Sequence, residues 1–512
     1  MSSNRAPRAE SARPSSGRHS RQGKADQSAR SPGSPKDVSA SSGAKDQRTS
    51  GYKPPQTSSQ QGRSEHKATG VRGRDAAMTE KSRMHVGRPS QIAQVLEDVF
   101  QWRYPADQCV SHYFKQHKHL GSRDRAEIAQ AVFDVLRHLR RYRRDAQSGP
   151  GPLNVCLAWR GLVATLPQAT DSLAADQPMK DWIERCEQID AVSLPFDVRF
   201  SLPEWLAQRV LRMDDPESLA KGLLQPASID LRVNTFKMDR ETALLQVKEL
   251  LSQSSRHGFD AQPTPYSDVG IRLKGHPPIQ RWQLFEHGVV EVQDEGSQLL
   301  AMLVDPKRQE MVIDYCAGAG GKTLALGAMM RSTGRLYAFD VSAARLARAK
   351  PRFARSGLSN IHPVVIRAQG DDRIRRLAGK AHRVLVDAPC TGLGTLRRNP
   401  DLKWRQSADE LDRLCVEQAQ ILDQASVCVR PGGRLVYATC SLLAEENEAQ
   451  VDAFLARNPA FELVDAKALL PFGLRESDRP AVDERGMVHL RPDWHGTDGF
   501  FAAVMRRRDA DE

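Results

Sequence analysis

Two cysteines that lie fifty residues apart each follow directly on a strand-like apolar run. Cys390 ends the run Val-Leu-Val-Asp-Ala-Pro-Cys, and Cys440 ends the run Gly-Arg-Leu-Val-Tyr-Ala-Thr-Cys. A cysteine sulfur is an effective nucleophile once it loses its proton. Side chains at the carboxyl ends of parallel strands are placed to meet a ligand. The pair, with a glycine-rich turn upstream, predicts a nucleophilic enzyme with two thiols in one pocket.

The glycine-rich turn spans Asp314–Lys322 and reads Asp-Tyr-Cys-Ala-Gly-Ala-Gly-Gly-Lys. Its glycines allow the backbone to approach a ligand closely and then to enter a helix. The Gly321-Lys322-Thr323 sequence hints at a Walker A phosphate loop, but that motif requires glycine where Cys316 stands. A dinucleotide enzyme could use the same turn, so the turn alone leaves the cofactor class open.

Acidic residues follow the neighbouring strand-like runs. Asp340 is placed to accept hydrogen bonds from ribose hydroxyls, which also fits a dinucleotide enzyme. Asp371 follows the third run, with its neighbour Asp372 as a rival, and Asp387 lies just before Cys390. Hydride transfer has no need of two thiols, so the cysteines favour another reaction.

Covalent chemistry on a pyrimidine makes use of a thiol. Carbon 5 of cytosine is a poor nucleophile, but addition of a thiolate to carbon 6 makes carbon 5 enamine-like and able to attack a methyl sulfonium. A base then removes the carbon 5 proton and the thiolate is eliminated, so one difficult step becomes several easier ones. A free thiol is only a few per cent ionised at neutral pH, so the site must lower the thiol pKa or supply a base.

The elements that position these residues alternate between strands and helices from about residue 291 to 508. Strands followed by helices of 10–20 residues predict a parallel, doubly wound α/β sheet. The predicted strands are 311–314, 335–340, 362–366, 383–387 and 433–439, with helices at 323–330, 343–356, 409–429 and 444–456. The segments 487–490 and 499–505 predict an antiparallel edge hairpin at the end of the chain.

Three further regions precede this sheet. Residues 1–85 contain 17 basic and 7 acidic residues and one aromatic residue, and this composition predicts a disordered basic tail. The tail is interpreted either as a non-specific phosphate attractor or as a solvated segment with no specific role. Residues 86–194 show apolar residues at helical spacing and predict an all-α domain. Residues 195–290 predict an α+β module, in which Arg232, Asn234 and Lys237 either face a nucleic acid or line a strand and its turn.

Composition limits the other classes of function. The formal net charge of +12 comes mostly from the tail, since residues 1–85 carry +10 and the rest only about +2. The eight cysteines form no CxxC pair, so no metal site is predicted, and the thiols fit a reduced cytoplasmic setting. No apolar run approaches the ~20 residues that span a membrane.

Several long motifs resemble those of the RNA (cytosine-5) methyltransferase family, RsmB/Sun type, in the order found there. They are Asp314–Lys322, Asp387–Asp401 with its Asp-Ala-Pro-Cys-Thr-Gly start, Ala438–Ser441, Gln293–Ser297 and Asp498–Phe501. The similarity covers about residues 195–508, and 86–194 is more weakly similar to the NusB-like domain of bacterial members. The resemblance implies a Rossmann-like S-adenosylmethionine methyltransferase core, preceded by a small RRM-like module and the NusB-like domain.

The resemblance also assigns roles to residues. It makes Cys440 the nucleophile and Cys390 the thiol that assists product release, and it places Asp387 against both the cofactor and the cytosine ring. S-adenosylmethionine is expected to contact the remaining cofactor residues, which are Cys316, Ala317, Gly318, Ala319, Gly320, Gly321, Lys322, Asp340 and Asp371. The loop reads Ala-Gly-Ala-Gly-Gly where many members have Ala-Ala-Pro-Gly-Gly, a change expected to loosen it. The implied substrate is small-subunit ribosomal RNA, and the implied protein is a cytoplasmic monomer.

Three rival interpretations accompany this one. A DNA cytosine-5 methyltransferase uses the Pro-Cys thiol as nucleophile and does not require Cys440. A transfer RNA methyltransferase shares the chemistry but not the substrate, and a non-catalytic ribosome-assembly factor would share only the scaffold. In the loop after Cys390, phosphate contact by Arg397, Arg398 and Lys403 is favoured over simple solvation. Trp404 is expected to pack, and Cys316, Cys415 and Cys428 are expected to be small core residues.

Overall fold

The computed structural model describes residues 87–166, 168–254, 258–475 and 479–509, so the predicted tail 1–85 lies outside the described residues. The described part of the chain begins with helices, as predicted for residues 86–194. The apolar positions of the helix Ser122–Arg137, such as Ile128, Val132 and Val135, are fully buried because their spacing places them on one face. The helices of this region are Arg88–Val99, Ala106–Gln116, Ser122–Arg137, Leu139–Asp145, Leu153–Thr165, Ala169–Ser172 and Gln177–Glu187.

A four-stranded antiparallel sheet follows, in the order β2-β3-β1-β4. Its strands are β1 (Ile229–Val233), β2 (Asp260–Pro263), β3 (Gly270–Lys274) and β4 (Val290–Val292). The helices of this region are Phe196–Arg199, Glu204–Val210, Pro216–Leu224, Arg240–Ser252 and Gln283–Glu286. Asp239 caps the helix Arg240–Ser252 by accepting a hydrogen bond from Thr242 N, as its position before the helix predicts. The RRM-like character of this module stays a prediction.

The polar residues of β1 and its turn hold this module against the following region. Arg232 is buried and donates to Gln293 Oε1 and to Gly321 O, at 2.5 and 2.6 Å. Asn234 donates to Gly288 O and Ser356 O, and Lys237 Nζ donates to two further carbonyl oxygens. Because Arg232 and Asn234 are buried, these two residues line the strand and its turn and do not face a nucleic acid. Lys237 is exposed, and its contact with a nucleic acid stays a prediction.

The C-terminal region is a mostly parallel sheet in the order β10-β12-β9-β8-β5-β6-β7. Its strands are β5 (Met311–Asp314), β6 (Arg335–Asp340), β7 (Ile361–Val365), β8 (Ala381–Asp387), β9 (Val429–Thr439), β10 (Phe461–Val464), β11 (Val488–Leu490) and β12 (Phe500–Arg507). The five strands β5 to β9 are mutually parallel and carry helices between them, which confirms the predicted Rossmann-like core. The helices are Glu295–Val304, Gly321–Met329, Ala343–Ser356, Asp372–Arg376, Leu402–Arg405, Ala408–Ser426, Glu448–Arg457, Phe472–Arg475 and Pro492–His495.

The end of the sheet differs from the predicted edge hairpin. β11 and β12 pair antiparallel, as expected, but β12 lies inside the sheet, between β9 and β10. Strand β10 was not predicted; it is as short as β5, but no glycine-rich turn marks its end as one marks the end of β5. None of the described helices is long and apolar enough to cross a membrane.

Candidate active site

A cavity of about 490 Å³ opens at the carboxyl ends of β5, β6, β8 and β9. Parallel strands end at the same sheet edge, so residues that are far apart in sequence meet there. Its lining includes these predicted site residues: Cys316, Ala317, Gly318, Ala319, Gly321, Lys322, Asp340, Asp387, Cys390 and Cys440. The cavity thus contains the glycine turn at one end and both thiols at the other.

The two thiols form a contact pair. Cys390 Sγ and Cys440 Sγ lie 3.3 Å apart, within hydrogen-bond distance for sulfur. The hydrogen bond with Cys440, together with burial and the charge of Glu446, raises the pKa of the Cys390 thiol well above its ordinary value. Either sulfur can be the donor in this contact, and the raised pKa of Cys390 favours its protonated form.

Backbone contacts fix the position of Cys440. Gly394 N donates to Cys440 O at 2.9 Å, and Gly499 N donates to Gly394 O at 2.8 Å. A Cβ atom at Gly394 would overlap Gly499 O, so only glycine permits this approach. The loop that follows Cys390 is thereby attached to the strand end that carries Cys440.

An ion pair joins the last residue of the glycine turn to the end of β8, just before Cys390. Lys322 Nζ donates to Asp387 Oδ2 at 2.8 Å and lies 5.7 Å from the centre of the Phe500 ring. Burial disfavours the ammonium, but the charge of Asp387 and its hydrogen bond outweigh burial and raise the pKa of Lys322. Lys322 is therefore a fixed positive charge close to Cys440.

The glycine turn is held by the strand beside it. Gly318 N donates to Asp340 Oδ2 at 2.9 Å, and Ser342 N donates to Asp340 Oδ1 at 2.7 Å. Gly318 and Gly320 have φ values of 55° and 82°, which favour glycine. A side chain at Gly320 would overlap the Phe353 ring, whereas the space around Gly318 is open.

The cavity fits S-adenosylmethionine in size and in chemistry. Its volume lies in the range usual for small-molecule sites. Asp340 Oδ2 accepts one backbone hydrogen bond, so this oxygen keeps a lone pair for a ribose hydroxyl. Val341 and Ile366 provide apolar lining beside it, as a flat aromatic base requires.

Two predicted cofactor residues stand apart from the lining. Gly320 is buried behind the turn against Phe353. Asp371 caps the helix Asp372–Arg376, accepts from Arg367 N and Arg373 N, and pairs with the Arg373 guanidinium. Since its carboxylate is occupied in this way and does not line the cavity, we leave Asp371 out of the proposed cofactor contacts. Its rival Asp372 is ion-paired with Arg375 at the surface.

Asp314 and Cys316, at the start of the turn, have raised pKa values because of burial. Asp314 accepts from Thr323 Oγ1 at 2.7 Å through one oxygen, while its other oxygen is buried without a hydrogen-bond partner. Burial raises the pKa of Asp314 to about 7. Burial likewise raises the pKa of the Cys316 thiol well above its usual value, so Cys316 lines the cavity as an unreactive thiol.

The expectation of phosphate contacts after Cys390 is wrong. Arg398 bridges two buried carboxylates, Asp294 and Asp498, at 2.7 and 2.6 Å. Arg397 donates to the carbonyl oxygens of Gly496 and Thr497, and Lys403, which is 3 % exposed, donates to Arg137 O. Trp404 packs and donates to Leu136 O, as expected of a packing residue. These cations hold the loop because the chain surrounds them, and no local sequence signal shows that burial.

Other site residues were missed from the sequence. Gln293 and Ser297 line the cavity, although their motif was recognised only as a family segment. Gln420 and Gln424 line the cavity from the helix Ala408–Ser426. In the sequence they cannot be told from any other polar residues on a helix surface. Val341 could have been found, because it directly follows Asp340 at the end of β6.

The chain is similar to known methyltransferases. Residues 301–506 match the family model for the 16S rRNA methyltransferase RsmB/F. The probable ribosomal RNA small subunit methyltransferase B of Bacillus subtilis is 34% identical over 318 residues, which are 60% of this chain and 67% of the relative.

Two solved structures are also similar. The first, titled PH0851, has a TM-score of 0.65 at 25% identity and covers 82% of this chain and 99% of its own. The second is a methyltransferase homolog protein from Pyrococcus horikoshii, with a TM-score of 0.51 at 28% identity, covering 62% of this chain and 100% of its own. The site and these similarities agree: the chain belongs to the RsmB/F family of methyltransferases, and S-adenosylmethionine is its cofactor.

Proposed function

We propose that the protein methylates carbon 5 of a cytosine in small-subunit ribosomal RNA, with Cys440 as the nucleophile and Cys390 as the release thiol. The observation that carries the proposal is the contact of the two thiols, 3.3 Å apart, in one cavity with Lys322 and Asp387. A methyltransferase that acts on an already nucleophilic atom has no need of this pair. The names of the curated relatives support ribosomal RNA as the substrate.

The proposed reaction begins at Cys440. The Cys440 thiol loses its proton to a base, and the thiolate adds to carbon 6 of the cytosine. The electron pair of the ring double bond moves to carbon 5, which takes the methyl group from the sulfonium and leaves a neutral thioether. S-adenosylmethionine supplies the methyl group as an electrophilic sulfonium. Asp387, oriented by Lys322, accepts a hydrogen bond from the cytosine ring and holds it in place. Fixed charges in a partly buried site stabilise charge that develops during the reaction.

Release reverses the addition. A base takes the carbon 5 proton, the carbon–sulfur bond at carbon 6 breaks, and the ring double bond is restored. The two sulfurs lie 3.3 Å apart. In the proposed step the Cys390 thiol acts as the hydrogen-bond donor and stabilises Cys440 Sγ as it leaves. The high pKa of Cys390 suits this role, because the donor must keep its proton.

The cofactor contacts belong to the same proposal. The turn Cys316–Lys322 encloses the donor, Asp340 accepts from its ribose, and Asp387 lies between donor and cytosine. We also propose the domain boundaries given by the sequence, 86–194, 195–290 and 291–508, with a cytoplasmic monomer as the working form. The separate sheets β1–β4 and β5–β12 support a division between the second and third regions. Strand β4 (Val290–Val292) crosses the 290/291 boundary, so the division falls after Val292.

Single substitutions of the two thiols test the assignment. Cys440→Ala is expected to abolish methylation, with no covalent adduct formed. Cys390→Ala is expected to accumulate an RNA–protein adduct on denaturing gels. Cys415→Ala, a cysteine outside the cavity, is the control and should behave as the wild type. An active Cys440→Ala with an inactive Cys390→Ala would reverse the roles and favour the DNA-type mechanism.

The substrate needs its own experiment. Bisulfite sequencing of RNA from a deletion strain should show the loss of one methylated cytosine in small-subunit ribosomal RNA. A loss confined to transfer RNA would identify the alternative substrate instead. If calorimetry detects no binding of S-adenosylmethionine, the non-catalytic assembly factor becomes the better description.

A further inference from the structure

A buried carboxylate behind the thiols has no role in the mechanism given so far. Glu446 lies in the loop that follows Cys440, and its side chain is fully buried. A buried carboxylate without hydrogen bonds would be strongly destabilising, so its partners show what the protein uses it for. They belong to the segment around Cys390.

The donors to this carboxylate are all neutral groups. Thr391 N donates to Glu446 Oε1 at 2.8 Å, Thr391 Oγ1 donates to Oε2 at 2.5 Å, and Gln418 Nε2 donates to Oε1 at 2.9 Å. A neutral donor satisfies the oxygen lone pairs but leaves the negative charge uncompensated. That charge acts on the residue next to Thr391, which is Cys390.

The same groups hold Cys390 from both sides. Gln418 Nε2 also donates to Pro389 O at 3.0 Å, and Gln406 Nε2 donates to Thr391 O at 3.1 Å. Glu446 itself is fixed by Tyr437, whose hydroxyl donates to Glu446 O at 2.7 Å. These hydrogen bonds hold the peptide units on either side of Cys390, whose Sγ lies 3.3 Å from Cys440 Sγ.

We propose that Glu446 is a positioning residue for the release step, which holds Cys390 against Cys440 and keeps it a protonated thiol. This role rests on the proposed function of Cys390. A negative charge in a site shielded from water disfavours a second negative charge nearby, so it opposes ionisation of the thiol. Burial and the neighbouring sulfur act in the same direction on the pKa of Cys390.

The neighbour Glu445 offers a matched control. Its carboxylate is ion-paired with Arg209 and is 44% exposed, so it differs from Glu446 in surroundings and not in chemistry. Glu446→Gln keeps the size and most of the hydrogen-bonding ability of the side chain but removes its charge. Glu446→Asp keeps the charge and shortens the reach.

The first experiment measures the thiol without RNA. The rate of iodoacetamide alkylation at Cys390 at pH 8, followed by peptide mass spectrometry, should rise about tenfold in Glu446→Gln, because one pKa unit changes the thiolate fraction tenfold. Glu445→Gln and Glu446→Asp should keep the wild-type rate. An unchanged rate in a folded Glu446→Gln protein would overturn the proposal, and it would do so independently of any methylation assay.

The second experiment measures release. In Glu446→Gln, one round of methyl transfer should proceed at the wild-type rate while turnover slows and the RNA adduct accumulates several-fold. If this variant does not fold, Thr391→Val, which removes only the hydroxyl donor, should give a smaller accumulation of the same adduct. Wild-type turnover in both variants contradicts the role of Glu446. Absence of an adduct in Cys390→Ala as well contradicts the proposed function instead.

Discussion

The two ends of the cavity are built by different means. At the cofactor end, the glycine turn is held largely by side chains, with Asp340 accepting from Gly318 N and Arg232 donating to Gly321 O. At the thiol end, Cys440 is held by backbone atoms in close contact, through Gly394 and Gly499. A ligand that binds and leaves tolerates some freedom in its loop. Two sulfurs that must remain 3.3 Å apart do not.

The largest expected effect is at Gly394. In Gly394→Ala the new methyl group would overlap Gly499 O and approach Cys440 O, and backbone atoms cannot move aside. We expect a loss of about 5 kcal/mol or more in the free energy of unfolding and loss of methylation. Urea denaturation and a methyl-transfer assay measure both. Gly151→Ala, at a glycine with no neighbour within 4 Å, is the control, and similar behaviour of the two variants would contradict the close contact.

The next effect is at Arg398, which neutralises Asp294 and Asp498. Arg398→Met leaves two buried carboxylates together and should cost about 3–5 kcal/mol. Burial and the charge of Asp294 already raise the pKa of Asp498 to about 7, so the loss should be smaller at pH 5.5 than at pH 8. The salt dependence of RNA binding should not change. If RNA binding by Arg398→Met became less dependent on salt while its stability stayed unchanged, Arg398 would be a phosphate contact after all.

A pH-dependent effect is expected at Asp314. Its pKa in the folded chain, about 7, lies above that of an unfolded aspartate, so the folded chain binds the proton more tightly. The stability that this proton contributes is lost as the pH rises towards and through 7. Asp314→Asn should therefore gain about 2 kcal/mol relative to the wild type between pH 5 and 8. Parallel stability curves in urea denaturation across this range would contradict the shift.

A smaller effect tests the cofactor end alone. Asp340→Asn keeps the shape of the side chain but weakens its hydrogen bonds to Gly318 N and to a ribose. We expect the affinity for S-adenosylmethionine to fall about tenfold, or ~1.4 kcal/mol, in calorimetry. Alkylation of Cys440 should be unchanged, because the thiol end is held separately. Asp372→Asn, at the exposed rival position, should bind as the wild type.

The smallest effect is at Gly318. In Gly318→Ala the new methyl group would overlap no other atom. The free energy of unfolding should fall by about 1 kcal/mol, because a φ of 55° is strained for alanine. Gly320→Ala should cost more, because its methyl group would also overlap the Phe353 ring. Thermal unfolding of the two variants compares backbone strain with overlap. Equal decreases in the unfolding temperature of the two variants would contradict the overlap of Gly320→Ala with Phe353.

The parallel core was predictable from the sequence because its long helices show their period and several of its strands end at glycine- or cysteine-containing motifs. Strand Arg335–Asp340 and helix Ala343–Ser356 have the predicted bounds. The four-residue β10 was missed, and β12 was predicted at an edge although it is interior. Strand order depends on which segments pair, and hydrophobic patterning within one strand does not specify its neighbour.

The sequence by itself determined the chemistry of the site: two cysteines, a glycine turn and acidic residues at strand ends, in motifs that resemble one family. It could not determine which charged side chains are buried or paired inside the protein. Arg232, Arg397, Arg398 and Lys403 look like solvent-facing cations in sequence, and the tertiary structure buries or pairs them. It also places Glu446 behind Cys390. Burial and pairing arise between segments that are distant along the chain, so only the folded arrangement decides them.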